Sequence, residues 1–257
     1  MKTPIRWRAT LSKPPNLRDW LHSPLGAYTL AWEQAQYDQC VANVFGYHAL
    51  QLGVPELDTL RGNRMPHRWV ACTDGQVQAD SLDVTVQLLT HAAALPFPAQ
   101  SLDLVTLPHT LEFSADPHQV LREVERVLMP EGRLVLTCFN PWSLWGLRRR
   151  ALPPVGELIA HRRLLDWLKL LGFELALVQH GAYLAPVQSL QRLQQMAWLD
   201  RWGARWWPGL GGLTLVVAIK RVHGMRLLGP AWKPHLVPTG VRALAQKPLP
   251  PSSVKSS

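Results

Sequence analysis

Beyond Asp200 the chain has no acidic residue, although nine lysines and arginines follow: Arg201, Arg205, Lys220, Arg221, Arg226, Lys233, Arg242, Lys247 and Lys255. Residues 1–200 carry 18 basic and 18 acidic groups, so the net charge of +9 belongs to the C-terminal end. Uncompensated cations there would attract an anionic membrane or a nucleic acid, but no motif interleaving aromatic and basic residues in the manner of a nucleic-acid binder accompanies them. Cysteine is also scarce. Cys40, Cys72 and Cys138 stand apart without CxxC spacing, which excludes a disulfide framework or a cysteine-based zinc site and leaves them as small buried hydrophobes. His109 and His118 lack a third neighbour at metal-ligand spacing, so no metal is expected. The opening MKTPIRWRATLSKPP contains no apolar core of a signal peptide, and no run of 18 apolar residues occurs anywhere. A cytoplasmic protein without a membrane span is the expectation.

The 257 residues are 47% hydrophobic, enough for one α/β domain with appendages. The chain is organised around Leu95 to Asn140, LPFPAQSLDLVTLPHTLEFSADPHQVLREVERVLMPEGRLVLTCFN. Leu102–Leu107 is a short apolar run, as expected of a strand buried on both faces of a parallel sheet. Asp116 and Pro117 predict a helix start, with Asp116 as N-cap, Pro117 in the first turn and Gln119 placed to bond back. Val120, Leu121, Val124, Val127 and Leu128 form one apolar stripe on that helix. Pro130-Glu131-Gly132 turns the chain, and Arg133–Cys138 is a second buried strand. Strand, helix and strand of these lengths predict a right-handed parallel crossover.

LPFPAQSLDLV, LPHTLEF and ADPHQVLREVERVLMPEGRLVL together resemble the post-I, motif II and motif III region of class I S-adenosylmethionine-dependent methyltransferases of the type 11, small-molecule group. The likeness is dense over about 45 residues. It implies a Rossmann-like, doubly wound, mostly parallel seven-stranded sheet whose antiparallel last strand inserts between the fifth and sixth. It also implies S-adenosyl-L-methionine as cofactor, bound across the carboxyl ends of the first three strands.

Upstream the family pattern is altered. Its first strand ends in an acid followed by a G-x-G-x-G loop; Leu50-Gln51-Leu52-Gly53-Val54-Pro55 keeps Gly53, replaces the acid with Gln51 and a loop glycine with Pro55. Gln51 can still bond a cofactor amino group, without the charge that favours an ammonium. Pro55-Glu56-Leu57 suits the first turn of a helix reaching Arg61. Arg68–Cys72 reads as the second strand. Asp74, 21 residues after Gly53, matches the roughly 20-residue offset at which an acid receives ribose hydroxyls, and is also an ordinary turn residue before glycine. Leu82–Thr90 reads as the third strand. His91 stands where relatives carry the aspartate that bonds the adenine amino group, and Ala92 and Leu95 could clamp the adenine face.

By the same resemblance His109, just past the fourth strand, is the leading catalytic candidate, as base or positioning group, with Glu112 in support; the alternative for His109 is a strand-end cap. The second histidine of the family's motif has become Phe113. Asn140 and Trp142 could line an acceptor pocket or simply form a turn. Pro24–Phe45 has a partly amphipathic helical pattern through Leu30, Glu33, Gln34, Tyr37, Cys40 and Val41, placing a helix beside the cofactor cleft or over the sheet. His161–Leu171, closed by Gly172, is a further helix; Phe173–Val178 and Gly212–Val222 are the last strands. The expected organisation is an arm at 1–23, a domain at 24–222 with a Trp- and Arg-rich helical insertion at 186–208, and a basic, proline-rich, disordered tail at 223–257. That insertion reads as core packing, a lid or a membrane-surface helix. A methyltransferase acting on a small or lipid-like acceptor is expected; the alternative is a related binding or regulatory protein that has lost catalysis.

Overall fold

Short apolar runs separated by proline, glycine and aspartate become parallel strands where helices cover both faces of the sheet. The computed structural model describes residues 17–72, 88–147, 152–153, 158–183, 202–203 and 205–221. Asp74, most of the Leu82–Thr90 run, Arg148 to Arg150, most of the 186–208 insertion and the tail from residue 223 lie outside the described residues.

The strands are β1 (His48–Leu52), β2 (His67–Cys72), β3 (Leu88–Leu89), β4 (Leu102–Pro108), β5 (Leu128–Phe139), β6 (Phe173–Gly181) and β7 (Leu213–Lys220). Their order across the sheet is β3-β2-β1-β4-β5-β7-β6. The first five run parallel, and β7 lies antiparallel between β5 and β6, as the family pattern implied. β5 starts earlier than expected. The turn at Pro130-Glu131-Gly132 is taken inside the strand as an irregularity in its pairing with β4, with Glu131 in the left-handed region at φ 65°.

Helices α1 (Leu17–Leu21) and α2 (Pro24–Val41) pack on one face of the sheet; α3 (Pro117–Val127) and α5 (His161–Leu170) contribute to the core on the other, and a short α4 (Leu144–Leu147) follows β5. α1 falls within the expected arm, and its Trp20 and Leu21 are buried. The chain turns between α1 and α2 at Ser23, whose hydroxyl accepts from the Gly26 amide. α3 begins as the residues dictate, with Asp116 accepting from the Gln119 amide at 3.0 Å. The Asp116 amide itself donates to Ser114 Oγ. The far end of α3 is held by buried Lys220 from β7, whose ammonium donates to the Glu125 and Leu128 carbonyls and pairs with the Glu125 carboxylate.

The helix expected from Pro55 to Arg61 does not form. The connection between β1 and β2 is a series of turns over residues 53–66, bound to α2 and to Gln51 by side chains. Its apolar groups Val54, Leu57, Leu60 and Met65 join the core with α2, so turns cover the sheet where a helix was expected. Among the described residues, no helix is long and apolar enough to cross a membrane.

Candidate active site

The parallel strands β1, β4 and β5 end at one edge of the sheet, and open α/β sheets bind ligands outside such carboxyl ends. His109 follows β4 directly. Its backbone sits in the left-handed region at φ 49°, and its amide continues the pairing by donating to the Thr137 carbonyl. That conformation is uncommon outside glycine, though histidine tolerates it better than most.

The reversal turns the ring inward between two carboxylates. Nε2 lies 3.0 Å from Glu33 Oε1 of α2, and Nδ1 lies 2.8 Å from Glu112 Oε2. The other Glu112 oxygen accepts from the Phe139 amide at the end of β5, and the Phe139 ring stacks on the imidazole at 4.2 Å. All three polar side chains are fully buried. Burial opposes charge on His109, but Glu33 and Glu112 more than offset it and push the imidazole from 6.5 up to about 10. Burial also raises the Glu112 carboxyl, with His109 pulling the other way. At neutral pH the ring therefore holds its proton. The Glu33 approach is an ion-pair contact off the hydrogen-bond direction: among the described residues both Glu33 oxygens lack an aligned donor. Tyr37, one turn along α2, is pushed well above its ordinary value by burial and by Glu33, and its hydroxyl reaches Thr137 Oγ1 at 3.3 Å.

Gln51 lies at the end of β1, and both ends of its amide are engaged. Nε2 donates to the carbonyls of Val54 and Leu57, while Oε1 accepts from the Thr59 amide and hydroxyl at 2.9 and 2.7 Å. A carboxylate could not donate to those carbonyls. Thr59 Oγ1 continues to Thr106 Oγ1 of β4 at 2.6 Å, and the Thr110 hydroxyl donates to the Leu52 carbonyl. Buried hydroxyls and one amide thus join the ends of β1 and β4 to the turn segment. Gly53 has φ 96°, where any side chain would strain the backbone.

The expected adenine side is half formed. Ala92 and Leu95 are buried in the core. The Leu95 amide donates to Glu123, and Arg126 donates to the Leu95 and Phe97 carbonyls, so α3 fixes this turn. His91 is exposed, and its Nδ1 accepts from the Ala93 amide at 3.3 Å, which leaves Nε2 as the donor. Asp74 lies outside the described residues. Asn140 is a buried corner: Nδ2 donates to the Gly209 and Gly211 carbonyls at 2.8 and 2.9 Å, and Oδ1 accepts from the Trp142 amide. Trp142 points to solvent, 72% exposed. Among the described residues, no three histidine, cysteine or acidic side chains converge in a metal-binding group.

The structure therefore brings His109, Glu112, Gln51, Gly53 and Asn140 to one edge and adds Glu33, which sequence reasoning had placed in a helical pattern without assigning it chemistry. The signal was present. Leu25, Thr29, Glu33, Tyr37 and Val41 recur every four residues along α2 and are all buried, and a glutamate in such a stripe needs a cationic partner.

A family model described as a methyltransferase domain matches residues 65–136. The uncharacterized protein YafS of Escherichia coli is 32% identical over 218 residues, covering 81% of this chain and 82% of its own. A ubiquinone/menaquinone biosynthesis C-methyltransferase, UbiE of Hahella chejuensis, is 39% identical over 79 residues, but the match spans only 31% of UbiE and 27% of this chain. A chain in the complex between the Haloferax volcanii Trm112 methyltransferase activator and a methyltransferase shares the fold, with a TM-score of 0.55 at 17% identity over 83% of this chain and 99% of its own. The strand order, the motif region at the carboxyl edge and these matches identify the chain as a member of the class I S-adenosylmethionine-dependent methyltransferase family.

Proposed function

We propose that the protein binds S-adenosyl-L-methionine at the carboxyl edge of β1, β2 and β4 and methylates a small or lipid-like organic acceptor in the cytoplasm. The observation that carries this reading is the buried Glu33–His109–Glu112 cluster. Two carboxylates around one imidazolium leave negative charge at the edge, and Glu33 has unused acceptor capacity. That suits a ligand carrying both an ammonium and a sulfonium. Gly53, Ala92 and Leu95, with Asp74, would hold the rest of the cofactor, His91 would donate rather than accept at the adenine, and Gln51 would act through the turn segment it clamps.

When bound, the cofactor supplies an electrophilic methyl group. The protein's part is alignment and charge. His109, already protonated at neutral pH, serves as a fixed cation that orients the two carboxylates rather than as a base. Where the acceptor loses a proton as it is methylated, Glu33 is the group placed to take it. The local likeness to a quinone-biosynthesis C-methyltransferase supports an organic acceptor of this kind. A second reading, a relative that binds ligand without transferring methyl, is favoured by the commitment of Gln51 to its own loop.

Calorimetric titration with S-adenosylmethionine and with S-adenosylhomocysteine separates these readings. Binding of both is expected. Glu33→Gln should weaken the sulfonium ligand about tenfold more than the uncharged thioether, a difference of about 1.4 kcal/mol. No detectable binding of either at millimolar ligand would sink the proposal. Equal weakening of both would assign Glu33 to the ammonium that the two ligands share rather than to the sulfonium, no weakening of either would remove it from the site, and binding without turnover across an acceptor screen would favour the second reading.

A further inference from the structure

Just beyond Asn140 the surface turns apolar. Trp142, Trp206, Trp207 and Leu210 are 72, 63, 62 and 46% exposed. Asn140 ties their two segments together, because its side chain donates to the Gly209 and Gly211 carbonyls and accepts from the Trp142 amide. Two residues of chain reach at most ~7 Å, so Trp142 and Trp207 leave the same corner. The Leu210 amide donates to the Trp207 carbonyl, so a tight turn keeps these two exposed apolar residues in one short segment. Large apolar side chains gathered in water mark an interaction surface.

The charge of the flanking sequence, of which Arg205 lies among the described residues, narrows the partner. Residues 140–153 and 200–212 contain five arginines, at 148, 149, 150, 201 and 205, against Asp200 alone. A second copy of the same corner would bring like charges together. Indoles favour the boundary between headgroups and acyl chains, and arginine pairs with lipid phosphate. We propose that this tryptophan corner docks on the headgroup region of an anionic lipid bilayer. The corner begins one residue after Phe139, whose amide is held by Glu112. Docking therefore presents the candidate active edge to the membrane, where a greasy acceptor would be met, though the surface itself does not depend on methyl transfer.

The test is flotation of the full chain with vesicles of three parts phosphatidylcholine to one part phosphatidylglycerol, beside vesicles of phosphatidylcholine alone. Partition into the anionic vesicles should exceed that into neutral ones by about tenfold, fall as salt rises, and move indole emission to shorter wavelength. The exposed positions allow Trp142→Ser, Trp206→Ser and Trp207→Ser together without opening the core, and this variant should lose about tenfold in partition; Arg205→Glu should lose less. Circular dichroism checks that the variants are folded. Absence of partition, equal partition into neutral vesicles, or a triple variant within about twofold of the parent would overturn the proposal, the last by assigning the binding to other cations of the chain. A vesicle-free dimer abolished by the same three substitutions would overturn it in favour of self-association.

Discussion

His109 shows how one residue's backbone and charge depend on each other. A positive φ turns the ring into the protein, and two carboxylates make an imidazolium tolerable there. The consequence is a pH dependence with a definite sign. The folded value of about 10 lies above 6.5, so the stability this group contributes is complete below pH 6.5 and lost as pH rises toward 10. Glu112, raised by burial, shifts stability in the same direction from lower pH, and the buried thiols of Cys72 and Cys138 begin to add to it near pH 9. The urea midpoint should therefore fall between pH 7 and 9, and a variant carrying His109→Gln with Glu33→Gln and Glu112→Gln, which leaves no buried carboxylate to titrate in the ring's place, should remove most of that slope. A slope unchanged in the variant would show that the ring is not the titrating group. In the sequence, His109 and Glu112 were visible because the motif region singled them out. Glu33 was not, because its partner lies 76 positions away and only the fold joins them. Gln51 looked like a weakened cofactor ligand; its amide instead satisfies carbonyls and donors that a carboxylate could not serve together.

At the scale of elements, α3 and the strands other than the third, whose Leu82–Thr90 run lies mostly outside the described residues, were legible because apolar period, N-cap and proline all agreed. The β1–β2 connection was not. Pro55-Glu56-Leu57 is acceptable first-turn chemistry, but Gln51, Gln34 and Asn63 hold this segment by side-chain bonds to its backbone and to α2, and those long-range contacts outweigh a weak local preference. Helix α1, inside the stretch expected as an arm, was not read as a helix for a related reason, since Trp20 and Leu21 are buried among residues of α2 and the sheet. The joint between α1 and α2 can be tested directly. A Cβ on Gly26 would sit 2.2 Å from the Trp20 carbonyl oxygen and 2.5 Å from Leu21 Cα, so α1 must move to admit it. Gly26→Ala should cost about 1–3 kcal/mol despite alanine's better helix propensity. Differential scanning calorimetry should show a fall of roughly 2–10 °C in Tm for a domain of this size. An unchanged or raised Tm would mean that α1 is not seated as described.

In the whole molecule, α1, α2 and the 53–66 segment cover one face of the sheet, and Glu33, Tyr37 and Thr59 extend that cover to residues at the ends of β1, β4 and β5. Gln51, Glu33, His109 and Glu112 beneath it are essentially inaccessible to solvent. A ligand that reaches those groups must therefore displace part of this cover, and the sheet beneath is the less yielding side, because β4 and β5 are paired on both edges and buried on both faces. Turns held by a few side-chain hydrogen bonds open at lower free energy than central strands. Hydrogen exchange followed by mass spectrometry should accordingly find the 53–66 amides exchanging well before those of β4 and β5 in the free protein. S-adenosylhomocysteine at about a hundred times its Kd should add roughly 2.7 kcal/mol to global stability, and should protect the 53–66 segment more than it protects the sheet. If the ligand stabilised the protein while leaving 53–66 unprotected, the binding surface would lie elsewhere on the fold, and the cover would be a structural replacement for the missing helix rather than part of the site.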